Sequence, residues 1–292
     1  MGFLYPWDRI LSRRIPNDCS FSMLCQAFTR DLRASTAVVA GAVYGSAVRG
    51  EANCRSDMDL FLVYETGKRC MVWQMLLGFR KSAASVHISL HMNAHSVDAA
   101  RESDRYGPSF RETWEHVRTA GLLVGEPERY YRAIFPYDVR MEMARKISRY
   151  EKKVMRQHRN YSRNPRTKGW IDRLLEDWCV AGVRPAHVHV NVARWLLLWR
   201  DGVLPDDGKQ TVIVRFLGAP EFRPMRKVFC EILAMDLAYD RLLNLVIEGG
   251  ISGREYNQAV GRLIDGFLPA NVRLLALANS MTSDVRRYSS AA

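Results

Sequence analysis

Apolar and polar positions follow two different periods along this chain, and the change of period divides it. The first twenty residues mix aromatics, basic residues and Pro16 in no clear period. From Asp18 to Ser35, Met23, Leu24, Ala27, Phe28 and Leu32 recur at helical spacing, with Asp18 or Ser20 placed to cap the first turn. Ala37 to Tyr44 is a short apolar run that reads as a strand, and a polar, turn-rich segment separates it from a second strand that opens at Asp57-Met58-Asp59 and ends near Tyr64. Met71, Val72, Met75, Leu76 and Phe79 predict a helix from Arg69 to Lys81, and Ser85 to Met92 alternates as a third strand. Asp98 to Tyr106 starts as a helix, Gly107-Pro108 breaks it, and Ser109 caps another from about Phe110 to Ala120. Gly121 to Gly125 then reads as an edge strand that closes a first domain.

From Pro136 onward the pattern is helical. Met143, Ile147, Tyr150 and Val154 form an apolar seam in a helix from Tyr137 to Arg159, while Arg145, Arg149, Lys152, Arg156 and Arg159 follow the same spacing on an adjacent face. Asn160 to Lys168 is a polar loop. Helices are predicted at about 169–181, 185–200, 208–217, 221–248, 252–267 and 270–285, separated by Gly, Pro and Asp clusters. The expected fold is α+β, with a mixed sheet and flanking helices over residues 1–130 and a helical bundle over residues 136–288.

At 292 residues and 48% hydrophobic, the chain is long enough for two such cores. Its six cysteines contain no C-x-x-C pair or zinc spacing, and nothing resembles a secretory signal, which fits a cytoplasmic location. The run from Trp195 to Trp199 is too short to cross a bilayer and is closed by Arg194 and Arg200, so no membrane segment is expected. The formal charge of +12 points to an anionic partner, and its distribution sharpens the point. Residues 140–168 hold eleven Lys or Arg against Glu142 and Glu151, a net +9. Such a run is either a solvated helix face or a surface for phosphates.

The candidate chemistry lies between Val43 and Tyr64, VYGSAVRGEANCRSDMDLFLVY. Side chains two apart on a strand share a face, so Asp57 and Asp59 point one way while Met58 and Leu60 point into the core. Paired carboxylates at a strand end suit Mg²⁺, which takes one or two protein carboxylates together with waters and substrate phosphates. Gly45-Ser46 upstream offers close backbone approach, amide donors and a hydroxyl. Together these features describe a site for a nucleoside triphosphate.

The order Gly-Ser, ten residues, then Asp-x-Asp followed by apolar residues resembles the signature of the DNA polymerase β-like nucleotidyltransferases, a superfamily that includes minimal and antibiotic-modifying enzymes. Arg49-Gly50 and Ser56 also fall where many members have similar residues. The resemblance covers residues 37–64. It implies a polymerase β-like sheet, Mg²⁺ (two ions are possible) on Asp57 and Asp59, and a triphosphate held by Gly45, Ser46, Arg49 and Ser56, assisted by Lys153 from the basic helix. It also implies a third carboxylate on the strand beside Asp-x-Asp. Here that stretch offers His87, Ser89 and His91 and no acid, so a histidine stands in or the acid comes from elsewhere. Antibiotic-modifying members take a general base from their helical domain, where Glu151 is the first choice ahead of Glu142, Glu176 and Asp177.

Asn191-Val192-Ala193-Arg194-Trp195, Gly202 and Gly208-Lys209 are similar to the C-terminal bundle of aminoglycoside nucleotidyltransferases, which implies a small hydroxylated acceptor of antibiotic type. The basic charge fits RNA better, as in nucleotidyltransferase toxins that act on tRNA. The missing third carboxylate leaves open a catalytically silent protein that binds a nucleotide or a partner.

Overall fold

The computed structural model describes residues 2–101, 117, 121–126, 139–163, 167, 169–203 and 208–289. In chain order its elements are α1 (Trp7–Leu11), α2 (Asp18–Ala34), β1 (Val38–Tyr44), β2 (Met58–Tyr64), α3 (Arg69–Ser85), β3 (Leu90–Ser96), α4 (Val97–Arg101) and β4 (Gly121–Gly125). They continue with α5 (Val139–Arg163), α6 (Trp170–Val180), α7 (Val188–Asp201), α8 (Lys209–Gly218), α9 (Arg226–Ile247) and α10 (Gly253–Ser289). Short 3₁₀ turns at Pro185–His187 and Pro220–Met225 precede α7 and α9. The fold is α+β. Two compact units divide the chain: Ile15–Asp138 with Val203–Gly208, and Met1–Arg14 with Val139–Gly202 and Lys209–Ala292.

In the sheet unit the strand order is β3-β2-β1-β4, with β2 and β4 antiparallel to β1 and β3 parallel to β2. The parallel pair needs a crossover, which α3 supplies. Alternation along the strands gives the sheet two apolar faces. Val43, Met58, Leu60 and Leu62 meet Phe21, Leu24, Phe28 and Leu32 of α2 and Val72, Leu76 and Phe79 of α3. Phe28 and Phe79 stack with ring centroids 4.1 Å apart at the join between the two helices. Ala40, Ala42, Tyr44, Phe61, Val63 and Val117 pack on the opposite face. The cap of α2 is Asn17 rather than Asp18 or Ser20; its Oδ1 accepts from the Ser20 amide at 2.9 Å.

The third strand differs from expectation. The predicted Ser85–Met92 strand is displaced to Leu90–Ser96, because α3 continues to Ser85 and the chain turns through Val86 and His87. His87 takes a left-handed backbone (φ 61°) in that turn and lies on no strand face. Strand LHMNAHS has little intrinsic β preference; its pairing with β2, Met58 to Leu90 through Tyr64 to Ser96, fixes it. The helix expected at 110–120 and the Gly107-Pro108 break lie outside the described residues, Val117 excepted.

The helical unit includes the first residues of the chain, which the sequence pattern groups with the sheet. Phe3, Leu4 and Tyr5 are buried; the Tyr5 amide donates to Tyr239 Oη at 2.7 Å, and Tyr256 Oη donates to the Tyr5 carbonyl. Helix α5 buries Met143, Ala144, Ile147, Val154 and Tyr161, packing chiefly on α10 and α7. Helix α7 is buried almost throughout from Val188 to Leu198, so the apolar run seen in the sequence is the centre of a bundle. Two predicted helices, 252–267 and 270–285, are one: α10 runs through Pro269. A proline in a helix interior forfeits a hydrogen bond and costs about 3 kcal/mol. Burial of Ile264, Phe267 and Leu268 before it and Ala270, Leu274 and Leu275 after it offsets that cost. Among the described residues no helix is long and apolar enough to cross a membrane.

Candidate functional site

Six of the sequence-predicted site residues fall in the sheet unit, around the start of β2. Gly45 follows the last residue of β1 with φ 87°, a conformation that suits glycine. A Cβ placed on it would come within 2.8 Å of Asp59 Oδ2, so the backbone passes directly against that carboxylate. The chain then makes a helical turn: the amides of Val48 and Arg49 donate to the Gly45 carbonyl and that of Glu51 to the Ser46 carbonyl. The amides of Ser46 and Ala47 stand ahead of those bonds, at the end of the turn where donors suit an anion. Ser46 is buried, and Arg49 donates through Nε to Glu51 Oε2 at 2.9 Å.

Residues 51–57 form a loop held by its own polar groups. The Asn53 amide donates to Ser56 Oγ at 3.0 Å, the Ser56 amide to the Asn53 carbonyl at 2.8 Å, and the Arg55 amide to Asn53 Oδ1 at 3.0 Å. Arg55 and Ser56 are only 3% and 2% exposed. Ser56 therefore supports the loop that delivers Asp57. Half-buried Asp57 immediately precedes β2, and the Met58 amide donates to the Ser89 carbonyl, anchoring that strand start beside β3.

Asp59 is the second residue of β2, paired across the sheet with Tyr44 on one side and His91 on the other. His91 Nδ1 lies 3.2 Å from Asp59 Oδ1. The residue beside Asp59 on the third strand is thus His91, and His87 is in the turn. The sequence contains the signal, a histidine near Asp-x-Asp on the next strand, but the register that selects His91 over His87 depends on where α3 stops. Deeper along the same face, Asn93 Nδ2 donates to Tyr44 Oη at 3.2 Å, and His95 packs on Phe61 with ring centroids 6.1 Å apart. Burial lowers the His95 pKa to about 4, so its ring is neutral near pH 7.

Glu151 and Lys153 belong to the other unit, on α5. Asn279 Nδ2 of α10 donates to Glu151 Oε2 at 2.7 Å, and exposed Lys153 holds Nζ 5.7 Å from the centre of its neighbour Tyr150's ring. Lys209, part of the bundle similarity noted in the sequence, pairs with buried Asp236 at 2.8 Å. A group the sequence pattern passes over is Lys146, whose Nζ lies 5.3 Å from the centre of the Trp195 ring. Burial, with Arg149 close by, lowers its pKa to about 7.

Carboxylate oxygens and a backbone cradle suit a hard cation such as Mg²⁺ bound together with phosphates. Among the described residues no group of three His, Cys, Asp or Glu side chains is placed to hold a metal alone, so such an ion would draw further ligands from substrate and water. The chain matches no family model and no curated protein sequence.

Proposed function

We propose that this chain is a Mg²⁺-dependent nucleotidyltransferase of polymerase β-like type, which moves a nucleoside monophosphate from a nucleoside triphosphate to an acceptor hydroxyl and releases pyrophosphate. The observation that carries the reading is the meeting of Gly45 with Asp59: the left-handed glycine at the end of β1 lies against the second carboxylate of the Asp-x-Asp pair on the neighbouring strand. That strand, turn and strand context is what a motif match needs before it becomes more than spacing.

In this reading the Ser46 hydroxyl and the amides of the turn after Gly45 bind the departing phosphates, and Arg49 adds positive charge. Asp57 and Asp59 hold Mg²⁺, which when bound neutralises charge on the triphosphate. The acceptor oxygen forms a bond to the α-phosphorus, the bond from that phosphorus to the bridging oxygen of the β-phosphate breaks, and the hydroxyl proton leaves. His91 is the base this unit offers for that proton, and Glu151, which the resemblance points to, is the alternative to be tested by mutation. A small hydroxylated acceptor of antibiotic type and an RNA end remain the two acceptor classes. The cationic face of α5 favours RNA.

A second reading rests on His91: an imidazole where the superfamily pattern places an acid is consistent with a protein that binds nucleotide without turning it over. Pyrophosphate release separates the two. With Mg²⁺, each of the four ribonucleoside triphosphates and either RNA or an antibiotic panel, the enzyme reading expects release with at least one pair and loss of at least about 100-fold in Asp59→Asn. Triphosphate binding with no release from any pair supports the second reading.

A further inference from the structure

One face of α5 carries Arg145, Arg149, Lys152, Arg156 and Arg159, and all five side chains are exposed. Spacings of four, three, four and three residues keep them in one row, about 21 Å long at 1.5 Å per residue. Among the described residues none of the five is in an ion pair; the single polar contact of the row is a long one, from Arg149 Nε to the Arg145 carbonyl at 3.4 Å. The acids of the helix point elsewhere: Glu142 is buried, and Glu151 is held by Asn279. Like charges three and four residues apart weaken a helix, and solvent-exposed helices ordinarily intersperse acids to relieve this. Among the described residues no acid pairs with the five cations of this row.

We propose that this row is a docking surface for a single-stranded polynucleotide, held through its phosphates. A bilayer surface fits less well, because a membrane-bound helix needs an apolar face for the lipid, and that of α5 is already buried in the bundle by Met143, Ala144, Ile147 and Val154. An acidic protein fits less well too, since protein interfaces build on a desolvated apolar or aromatic centre, and among the described residues of α5 Met155 is the one exposed large apolar side chain. Polynucleotide interfaces are polar and strongly positive, and guanidinium, which supplies four of the five heads, grips phosphate with two parallel hydrogen bonds. A straight single row matches one strand. The inference stands apart from the proposed transfer reaction, since it needs neither triphosphate nor metal.

The test is fluorescence anisotropy of a labelled twelve-residue oligouridine with the full chain, without Mg²⁺ or triphosphate, at 50 to 300 mM salt. Five phosphate contacts predict a slope of log affinity on log salt near −3.5, about −0.7 per contact. Changing all five residues to Gln, which keeps helix propensity, is expected to weaken binding at low salt by at least about 30-fold and to flatten the slope to above −1. Helical circular dichroism reports whether that variant folds, and single Arg149→Gln and Arg156→Gln variants, each expected to reduce the slope by about 0.7, test the same claim with less perturbation. Arg80→Gln/Lys81→Gln/Arg254→Gln, with cations removed elsewhere, is expected to bind as the parent does. The proposal is overturned if the parent slope is shallower than −1, if the control triple variant loses as much affinity as the row variants, or if polyglutamate or anionic vesicles displace the oligonucleotide at equal charge. Asp59→Asn is expected to bind oligouridine normally, so a failed transfer reaction and a failed docking surface give different results.

Discussion

Gly45 and Asp59 form a single unit at the scale of residues. Replacing Gly45 by Ala puts a methyl group 2.8 Å from Asp59 Oδ2, too close unless the carboxylate moves, and forces an L side chain into φ 87°. Both effects act against the native geometry, so Gly45→Ala is expected to cost more than about 1 kcal/mol in chemical denaturation, and it displaces the carboxylate the proposed chemistry depends on. The pairing of Lys209 with Asp236 gives a second test in the helical unit. Asp236 is 1% exposed while Lys209 is partly exposed, so Asp236→Ala removes a charge-assisted hydrogen bond and is expected to cost about 1.5–3 kcal/mol by urea unfolding. Lys146 behaves differently because its own burial disfavours its charge. With a folded pKa of about 7 against an ordinary 10.5, the unfolded chain holds a proton that the folded chain releases between those values, and stability rises with pH across that window. Lys146→Met is therefore expected to raise the melting temperature more at pH 6 than at pH 9.

Among elements, two histidines make stability depend on pH in the acid range. Burial depresses the His95 pKa to about 4 and holds that of His187 well below 6.5, so between 6.5 and 4 the unfolded chain takes up protons that these folded rings refuse. Stability falls as pH drops through that window, and His95→Gln is expected to shallow the fall when melting temperature is followed from pH 7 to 4. The elements also mark how far the sequence carries. Strands β1 and β2 and helices α2 and α3 are legible because their apolar periods are strong and their faces bury against one another. Strand β3 is misplaced by several residues because Leu90–Ser96 has no comparable period; the register is fixed by β2, a partner the local sequence does not encode. Pro269 reads as a break because local propensity sees only the lost hydrogen bond, whereas apolar packing on both sides carries α10 through it. Residues Phe3 to Tyr5 show no period because they are a short extended segment fixed by Tyr239 and Tyr256, over two hundred positions away. At the candidate site, the spacing of Gly45, Ser46, Asp57 and Asp59 already sets them at the end of β1 and the start of β2, where the structure has them, while the identity of Asp59's neighbour as His91 depends on the register with β3.

For the molecule as a whole, the candidate carboxylates and the basic stretch fall in different units of the chain. The carboxylates of the candidate site belong to the sheet unit, and most of the net positive charge lies between residues 140 and 168, in the stretch that contains α5. If a triphosphate with Mg²⁺ binds the native chain alone, at a hundred times its dissociation constant it stabilises by about 2.7 kcal/mol, an effect that Asp59→Asn is expected to remove in thermal melts. Binding is necessary for the proposed chemistry without being sufficient, since a silent protein would show it too. The position of the transferred phosphorus decides. With an acceptor that supports pyrophosphate release, and with the triphosphate labelled either at the α- or at the γ-phosphate, a nucleotidyltransferase puts α-label on the acceptor and leaves γ-label in pyrophosphate, and Asp59→Asn does neither. Transfer of γ-label, or no transfer of either label from any of the four triphosphates to RNA or to hydroxylated small molecules, would contradict the account.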